Sequence, residues 1–506
     1  MAPKAAKSEK AVKAVKAVKS VPIQPVPEKR GYEFGGPLGA AGIVFGLPVL
    51  VYVFTFVCND VSGCPAPGLL SPSTLTLDKL KSEVGWPEEG VAGLFSIEAT
   101  LWTLSYYLFS LFLQVFLPGQ VAEGVTLACG GRHKYKLNGM EDPFEPSPLP
   151  LVILGGLAAG TYMDGANFVV WTFLWDNYVQ VITANLLIAS AVAIFVYIRS
   201  FSVPNPGKPN PELRELAPGG HTGNPLYDFF IGRELNPRIR LPIPFIDEAS
   251  RTIDIKLFME MRPGLLGWTI LNLSNVAHQY RTYGYVTDSI ILVTIFQAFY
   301  ILDAVYMEPA VMTTMDIIMD GFGFMLSFGD VVWSRYLAVF PLQLGWTGIA
   351  LVLGVTAVGY SIFRGANNQK NRFRTNPNDP RVKHIKYIET ASGSRLMTSG
   401  WWGLARHINY LGDWVMSWAY CLPTGIAGYA MIESISPVTG NLEKQAVQTP
   451  EARGWGMILT YFYMLYFGVL LIHREMRDEE KCKKKYGADW DRYTSMVRSK
   501  IIPGIY

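Results

Sequence analysis

The sequence predicts an all-α fold: a polytopic transmembrane helical bundle with about nine to ten spans. Three observations predict it. Charged residues make up 17% of the 506-residue chain, against ~25% in soluble domains. Half of the residues are hydrophobic and the mean hydropathy is +0.21. Apolar runs near the ~20 residues that cross a hydrocarbon core recur along most of the chain.

The spans fall at 38–57, 91–117, 151–174, 179–198, 263–277, 289–307, 336–363, 411–431 and 454–472. A weaker tenth lies at 311–328, interrupted by Asp316, Asp320 and several glycines. Residues 1–30 are rich in Lys, Ala, Val and Pro, and the first long apolar run begins only near Leu38, so they do not read as a cleavable signal. They read as a disordered basic tail on the cytosolic side, with Lys13, Lys16 and Lys19 able to meet anionic lipid. Residues 31–201 hold the N-terminal spans. The stretch 202–225 is dense in Pro and Gly and reads as a linker, and 226–506 forms the remaining core. The segments 364–400 and 473–499 carry many Lys and Arg, which places both on the cytosolic side.

Composition also excludes some functions. A net charge of +3 gives no argument for nucleic-acid binding. The five cysteines are odd in number and fit no zinc spacing, so no metal site is expected. Cys58 and Cys64 would bridge in an oxidising lumen; unpaired thiols are the favoured reading. No repeat of fixed period appears, which argues against a transporter.

Ionisable groups within spans are expensive unless they are paired or face a cavity. Asp303, Glu308, Asp316, Asp320 and Asp330 cluster after Tyr300, and Asp316 and Asp320 would share a helix face. Pairing with Lys256, Arg262 or Arg335 is the plain structural alternative for any one of them. Lys370 and Arg374, spaced i, i+4, suit an anion, although positive-inside topology explains isolated charges equally well. Their company raises the functional reading: Trp401, Trp402, Arg406, Asn409, Tyr410 and Asp413 follow, and Arg474, Asp478, Cys482 and Tyr486 step by four along one stripe. Aromatics and amides suit a planar base. No glycine-rich dinucleotide fingerprint is present, so helices would have to hold any such ligand.

Two stretches carry a resemblance. Gly223-Asn224-Pro225-Leu226-Tyr227-Asp228-Phe229-Phe230-Ile231-Gly232-Arg233-Glu234-Leu235-Asn236-Pro237-Arg238 is similar to the first motif of the sterol reductases. The run from Leu471-Ile472-His473-Arg474 through Tyr486-Gly487-Ala488-Asp489-Trp490-Asp491-Arg492-Tyr493 resembles the second. The opening Tyr32-Glu33-Phe34-Gly35-Gly36-Pro37 and the segment Asp320-Gly321-Phe322-Gly323-Phe324-Met325 resemble the fungal subgroup that acts on the 14,15 double bond. The lamin B receptor shares the reductase half but adds a chromatin-binding head for which residues 1–30 leave no room.

The resemblance implies NADPH as cofactor, bound in a cytosol-facing C-terminal region. Its contacts would be Lys370, Arg374, Met397 (where leucine is expected), Trp402, Asn409, Tyr410, Asp478, Cys482, Tyr486 and Tyr493. It further implies a sterol diene substrate, a multi-pass location in the endoplasmic reticulum membrane, continuous with the nuclear envelope, and other sterol-biosynthesis enzymes as candidate partners. An isolated ring alkene takes hydride only after protonation, so an acid in an apolar pocket is required. Tyr300, Glu308, Asp316 and Asp320 are the candidate catalytic residues; a neutral carboxylic acid or a tyrosine backed by a carboxyl group would serve. Phe322 and Phe324 are candidates for shielding the cation, with ordinary packing the favoured reading. Reduction of a delta-7 or delta-24(28) bond, a membrane methyltransferase and a non-enzymatic sterol-binding scaffold are the alternatives.

Overall fold

The computed structural model describes residues 31–62, 66–70, 73, 75–127, 131–138, 148–204, 210–312, 314–327, 338–339, 341–425, 429–435, 440, 442–447 and 461–506. The predicted tail 1–30 and residue Asp330 lie outside them.

The helices follow the apolar runs. α1 (Gly36–Val57) starts after Gly35, with Pro37 in its first turn. α2 (Ile97–Phe116) is capped by the Ser96 hydroxyl, which accepts from the Ala99 amide at 3.2 Å. The predicted span 151–174 is divided. α3 (Pro148–Asp164) ends in a 3₁₀ turn at Gly165–Asn167, and α4 (Val169–Asp176) follows. Gly165 takes φ +61°, a backbone state that breaks a helix and favours glycine. α5 (Tyr178–Ser200) is continuous.

In the second half come α6 (Pro225–Ile231), α7 (Ile255–Met259), α8 (Leu265–Tyr283) and α9 (Asp288–Tyr306). The expected tenth span is three short helices: α10 (Glu308–Val311), α11 (Met315–Ile318) and α12 (Phe324–Ser327). Broken backbone at membrane depth needs partners for its freed carbonyls. Lys256 supplies them: its Nζ donates to the carbonyls of Asp316 (2.5 Å), Asp320 (2.7 Å) and Ile317 (3.3 Å). α13 (Gly345–Thr375) runs farther than predicted, so Lys370 and Arg374 lie within its final turns. α14 (Trp401–Leu404), α15 (Ile408–Gly425), α16 (Phe462–Tyr486) and α17 (Ala488–Met496) complete the chain.

Among the described residues, six helical segments are long and apolar enough to cross a membrane: 36–57, 90–116, 149–167, 178–200, 288–306 and 345–375. The protein is a multi-pass membrane protein. α8, α15 and α16 occupy three further predicted spans, with polar or charged residues along them.

The fold is mostly helical rather than all-α, because four small antiparallel sheets join the helices among the described residues. β1 (Gln120–Thr126) pairs with β2 (Arg132–Leu137), and β3 (Arg238–Arg240) with β4 (Thr252–Asp254). β5 (Leu342–Gln343) pairs with β8 (Tyr429–Ile435), which also pairs with β9 (Leu442–Val447). β6 (Tyr387–Glu389) pairs with β7 (Arg395–Met397). These strands lie between spans, where hydropathy carries no period-2 signal strong enough to read.

One buried cluster joins Leu113 of α2 and Trp171 of α4 to Leu266 and Ile270 of α8, Ile301 and Val305 of α9, and Ile317 of α11. N-terminal spans and later spans thus share a core. α13 and α15 meet closely through Gly359 and Gly412; a Cβ on Gly412 would lie 2.5 Å from the Phe363 amide nitrogen. Cys58, at the end of α1, is disulfide-bonded, against the expectation of a free thiol. Its place just past the end of a span fits an oxidising compartment on that side.

Candidate active site

The second half converges on a ledge built from the last turns of α13, the β6–β7 hairpin and α14 to α17. Lys370 Nζ sits 4.3 Å from the centre of the Trp402 ring. Trp402 is fixed from both ends: its Nε1 donates to the Ala366 carbonyl at 2.8 Å, and its own carbonyl accepts from the Tyr493 hydroxyl at 3.4 Å. Met397 and Trp402 share one buried cluster with Phe373, while Cys482, Tyr486, Trp490 and Tyr493 form the next. The Tyr410 hydroxyl donates to Asp478 Oδ2 at 2.8 Å. Arg374, Asp478 and Cys482 all act electrostatically on Lys370. These contacts bring nine of the ten predicted cofactor residues to one place, and the tenth, Asn409, directly precedes Tyr410 on α15.

Two features of the ledge fit an anionic, amide-bearing ligand. Arg374 is exposed and makes no ion pair among the described residues. The Asn409 side-chain oxygen is buried without a hydrogen-bond partner among them.

His407 is a member that spacing alone did not single out. Its ring stacks on Tyr410 with centroids 5.1 Å apart, and Nδ1 lies 4.0 Å from Asp478 Oδ2. Burial pushes its pKa down to about 4, helped by Lys370 and Arg406 and opposed by Asp478 and Glu479. Donor atoms of His407, Glu475 and Glu479 lie within 4.8 Å of one another. Both carboxylates are already compensated, Glu475 by Lys500 at 3.2 Å and Glu479 by Arg406 at 2.6 Å. That leaves little call for a metal.

The candidate acids separate into different settings. Glu308 is fully buried and ion-paired to Arg262, which also donates from Nε to Gln114 Oε1 at 2.8 Å. This pair lines a cavity of about 20 Å³ beside Asp254. Asp254 Oδ2 and Arg262 Nη1 have no protein partner there, and the space suits one water. Asp320 is held by Arg477, with Nη2 at 2.5 Å and Nη1 at 3.2 Å. Asp316 is half-buried, with Arg474 Nη2 at 3.6 Å.

Tyr300 differs from all three. It is 46% exposed on α9. Its electrostatic neighbours nevertheless come from four other elements: Asp413 of α15, Glu260 of the π-turn Glu260–Gly264, Asp316 of α11 and Arg474 of α16. The hydroxyl makes no hydrogen bond among the described residues.

The sequence model of the Ergosterol biosynthesis ERG4/ERG24 family matches residues 28–506. The chain belongs to this family. It is 71% identical over 493 residues to the Delta(14)-sterol reductase erg24A of Aspergillus fumigatus, covering 96% of this chain and 97% of that one. The Delta(14)-sterol reductase erg24B of the same organism is 72% identical over 477 residues, covering 93% and 91%. The Delta(14)-sterol reductase of Neurospora crassa is 60% identical over 491 residues, covering 95% and 97%.

In this ERG4/ERG24 family member the two motifs do different work. The first is structural. Asn224 caps α6 by accepting from the Tyr227 amide at 3.0 Å, and Asp228 accepts from the Thr222 amide at 2.8 Å and from Arg233 at 3.2 Å. The Glu234 carbonyl accepts from the Phe322 amide at 3.0 Å, so this motif props the broken span. The second motif lies on α16 and α17 and serves both regions. Arg474 and Arg477 reach the acids of the broken span, while Asp478, Cys482, Tyr486 and Tyr493 face the ledge.

Proposed function

We propose that this chain is an NADPH-dependent delta-14 sterol reductase of ergosterol biosynthesis, a multi-pass protein of the endoplasmic reticulum membrane. The observation that carries the reading is the 71% identity, over nearly the whole of both chains, to a protein named Delta(14)-sterol reductase. The ledge supports the cofactor: Lys370 and Arg374 supply cationic donors for phosphates, and the Trp402 ring and the unpartnered Asn409 amide oxygen suit a nucleotide base or carboxamide. When bound, NADPH would supply the hydride.

The chain itself has to hold a proton at the sterol double bond and keep bulk water away. Tyr300 is the proton donor in this reading. A phenol is neutral at pH 7, and its hydroxyl is uncommitted, whereas Glu308 and Asp320 are each tied to an arginine. Asp316, with the looser contact to Arg474, is the second choice.

Incubating membranes that contain the protein with sterols unsaturated at 8,14, at 7 or at 24(28), with NADPH, NADH or S-adenosylmethionine, tests the function. The expected result is NADPH-dependent loss of the 14,15 double bond alone, read by mass spectrometry. Reduction at another position, methyl transfer or sterol binding without turnover would each replace the reading. For the acid, Tyr300→Phe should lower turnover by about 10²–10⁴-fold with NADPH binding intact. Near-normal turnover would move the role to Asp316.

A further inference from the structure

Ala405, Arg406 and His407 join α14 to α15, and all three are buried. Buried backbone N–H groups need partners. Arg406 and His407 precede α15, so its hydrogen-bond ladder does not serve their amides. The segment that follows α17 serves them instead. The Arg406 amide donates to the Ser499 carbonyl at 3.0 Å, and the His407 amide to the Lys500 carbonyl at 2.7 Å. The Arg406 side chain grips the same segment. Its Nη1 donates to the carbonyls of Val497 at 2.7 Å and Arg498 at 2.9 Å, while Nε pairs with Glu479 at 2.6 Å. The consecutive carbonyls from Val497 to Lys500 thus all close on two residues of the joint.

This segment is itself locked. The amides of Lys500, Ile501 and Ile502 all donate to the Tyr506 carbonyl oxygen, at 2.8, 2.9 and 3.0 Å, and the Gly504 amide donates to Ser499 Oγ at 2.9 Å. The closed turn docks on α16 at Glu475, which is fully buried. Lys500 Nζ lies 3.2 Å from one oxygen of that carboxylate, and the Tyr506 hydroxyl donates to the other at 3.0 Å. Glu475 stands three residues before Asp478, which accepts from the Tyr410 hydroxyl. Asn409 and Tyr410 lie in the first turn of α15, directly after the joint. The segment therefore bears on both sides of the Tyr410–Asp478 contact, through the joint before α15 and through Glu475 on α16.

We propose that residues 497–506 form a strap that sets cofactor affinity, with Lys500 and Tyr506 as positioning residues that hold Asn409 and Tyr410 in the geometry NADPH requires. The inference rests on the reading of the ledge as the NADPH site. The strap contributes none of the ten predicted cofactor contacts and acts through the α14–α15 joint. A ledge held in its binding geometry beforehand spares the cofactor the entropy of ordering it. A loosened strap moves that ordering into the binding step, so affinity for NADPH falls while the chemistry of the bound complex is little altered.

The test uses the purified full-length protein in detergent. It reads NADPH binding directly, by isothermal titration without sterol, together with amide hydrogen exchange. Lys500→Met should raise the Kd for NADPH by about tenfold and speed exchange at the Arg406 and His407 amides. Saturating NADPH should restore slow exchange there. In turnover assays the KM for NADPH should rise with the Kd, with a smaller effect on kcat. Lys500→Arg keeps a cation beside Glu475 and should bind NADPH as the wild type does. Should Lys500→Met fold poorly, Tyr506→Phe removes one hydroxyl and leaves the Lys500–Glu475 pair, and its Kd should rise about threefold. Faster exchange with an unchanged Kd would make the strap a structural feature alone and overturn the proposal, as would unchanged exchange. In either case binding by the wild type leaves the cofactor reading standing. A wild-type protein that binds no NADPH would overturn that reading and the strap together.

Discussion

Arg477 grips Asp320 with two nitrogens, Nη2 2.5 Å from Oδ1 and Nη1 3.2 Å from Oδ2. The same guanidinium also reaches Glu33, with Nε 3.2 Å from Oε1. Arg477 thus ties the segment before α1 to the broken span. Phe34 strengthens the junction, with its ring 4.4 Å from that of His473.

Asp320 should accordingly matter more for stability than for chemistry. Its side chain is 6% exposed and that of Arg477 15%, so removing one partner leaves a poorly solvated charge. Asp320→Asn should cost about 3 kcal/mol of stability, discounted from the fully buried case by the Glu33 contact that remains. Thermal unfolding of the purified variant in detergent measures this. A variant with unchanged stability but abolished turnover would return Asp320 to the list of acids.

Arg374 is exposed and makes no ion pair among the described residues, and a charge-assisted phosphate contact contributes about 1.5–3 kcal/mol. Arg374→Ala should therefore raise the KM for NADPH by at least about tenfold, with a smaller effect on kcat. Initial rates over a range of NADPH concentrations decide it. An unchanged KM would place Arg374 outside the cofactor site.

Much of the ledge was legible because both of its signals are local. Asp478, Cys482 and Tyr486 recur every four residues on one helix, and Lys370 and Arg374 share the same spacing on another. The weak span at 311–328 was legible as weak, since Asp316, Asp320 and the glycines interrupt it. What repairs it was not legible. Lys256 lies about 60 positions earlier in sequence than the carbonyls it satisfies, and no periodicity links them. Pairings such as Arg477 with Asp320 are equally remote, so the sequence offered several arginines and several acids without matching them. The short strands and the bonded Cys58 depend on neighbours distant in sequence or on compartment, neither of which hydropathy reports.

His407 should make stability depend on pH. Its pKa falls from 6.5 in the unfolded chain to about 4 in the folded one, chiefly through burial. The unfolded chain therefore binds the extra proton between those values. The stabilisation is complete above pH ~6.5 and is lost as pH falls from there towards ~4. The unfolding midpoint in detergent should drop between pH 7.5 and pH 5, and His407→Gln should flatten that part of the profile. An identical pH profile in wild type and variant would mean that folding leaves the pKa of His407 unshifted.

Gly232 sits where the first motif meets the broken span. Its φ of +90° is a state that side-chain-bearing residues rarely adopt. A Cβ there would lie 2.4 Å from the Phe322 carbonyl carbon and 2.5 Å from both the Gly321 carbonyl carbon and the Gly323 nitrogen. All three are backbone atoms, so no side-chain rotation relieves the contact. The facing glycines are constrained in turn, because a Cβ on Gly321 would lie 1.9 Å from the Gly232 oxygen. Gly232→Ala should therefore push α6 and the broken span apart and cost at least about 3 kcal/mol from strain and overpacking together. The shift should also disturb the hydrogen bond from the Phe322 amide to the Glu234 carbonyl and so displace Asp316 from Arg474. The variant is expected to show a lowered unfolding midpoint and reduced sterol turnover, with its NADPH affinity close to wild type because the ledge lies on other helices. Wild-type stability in Gly232→Ala would mean that the two backbones are not in contact as described.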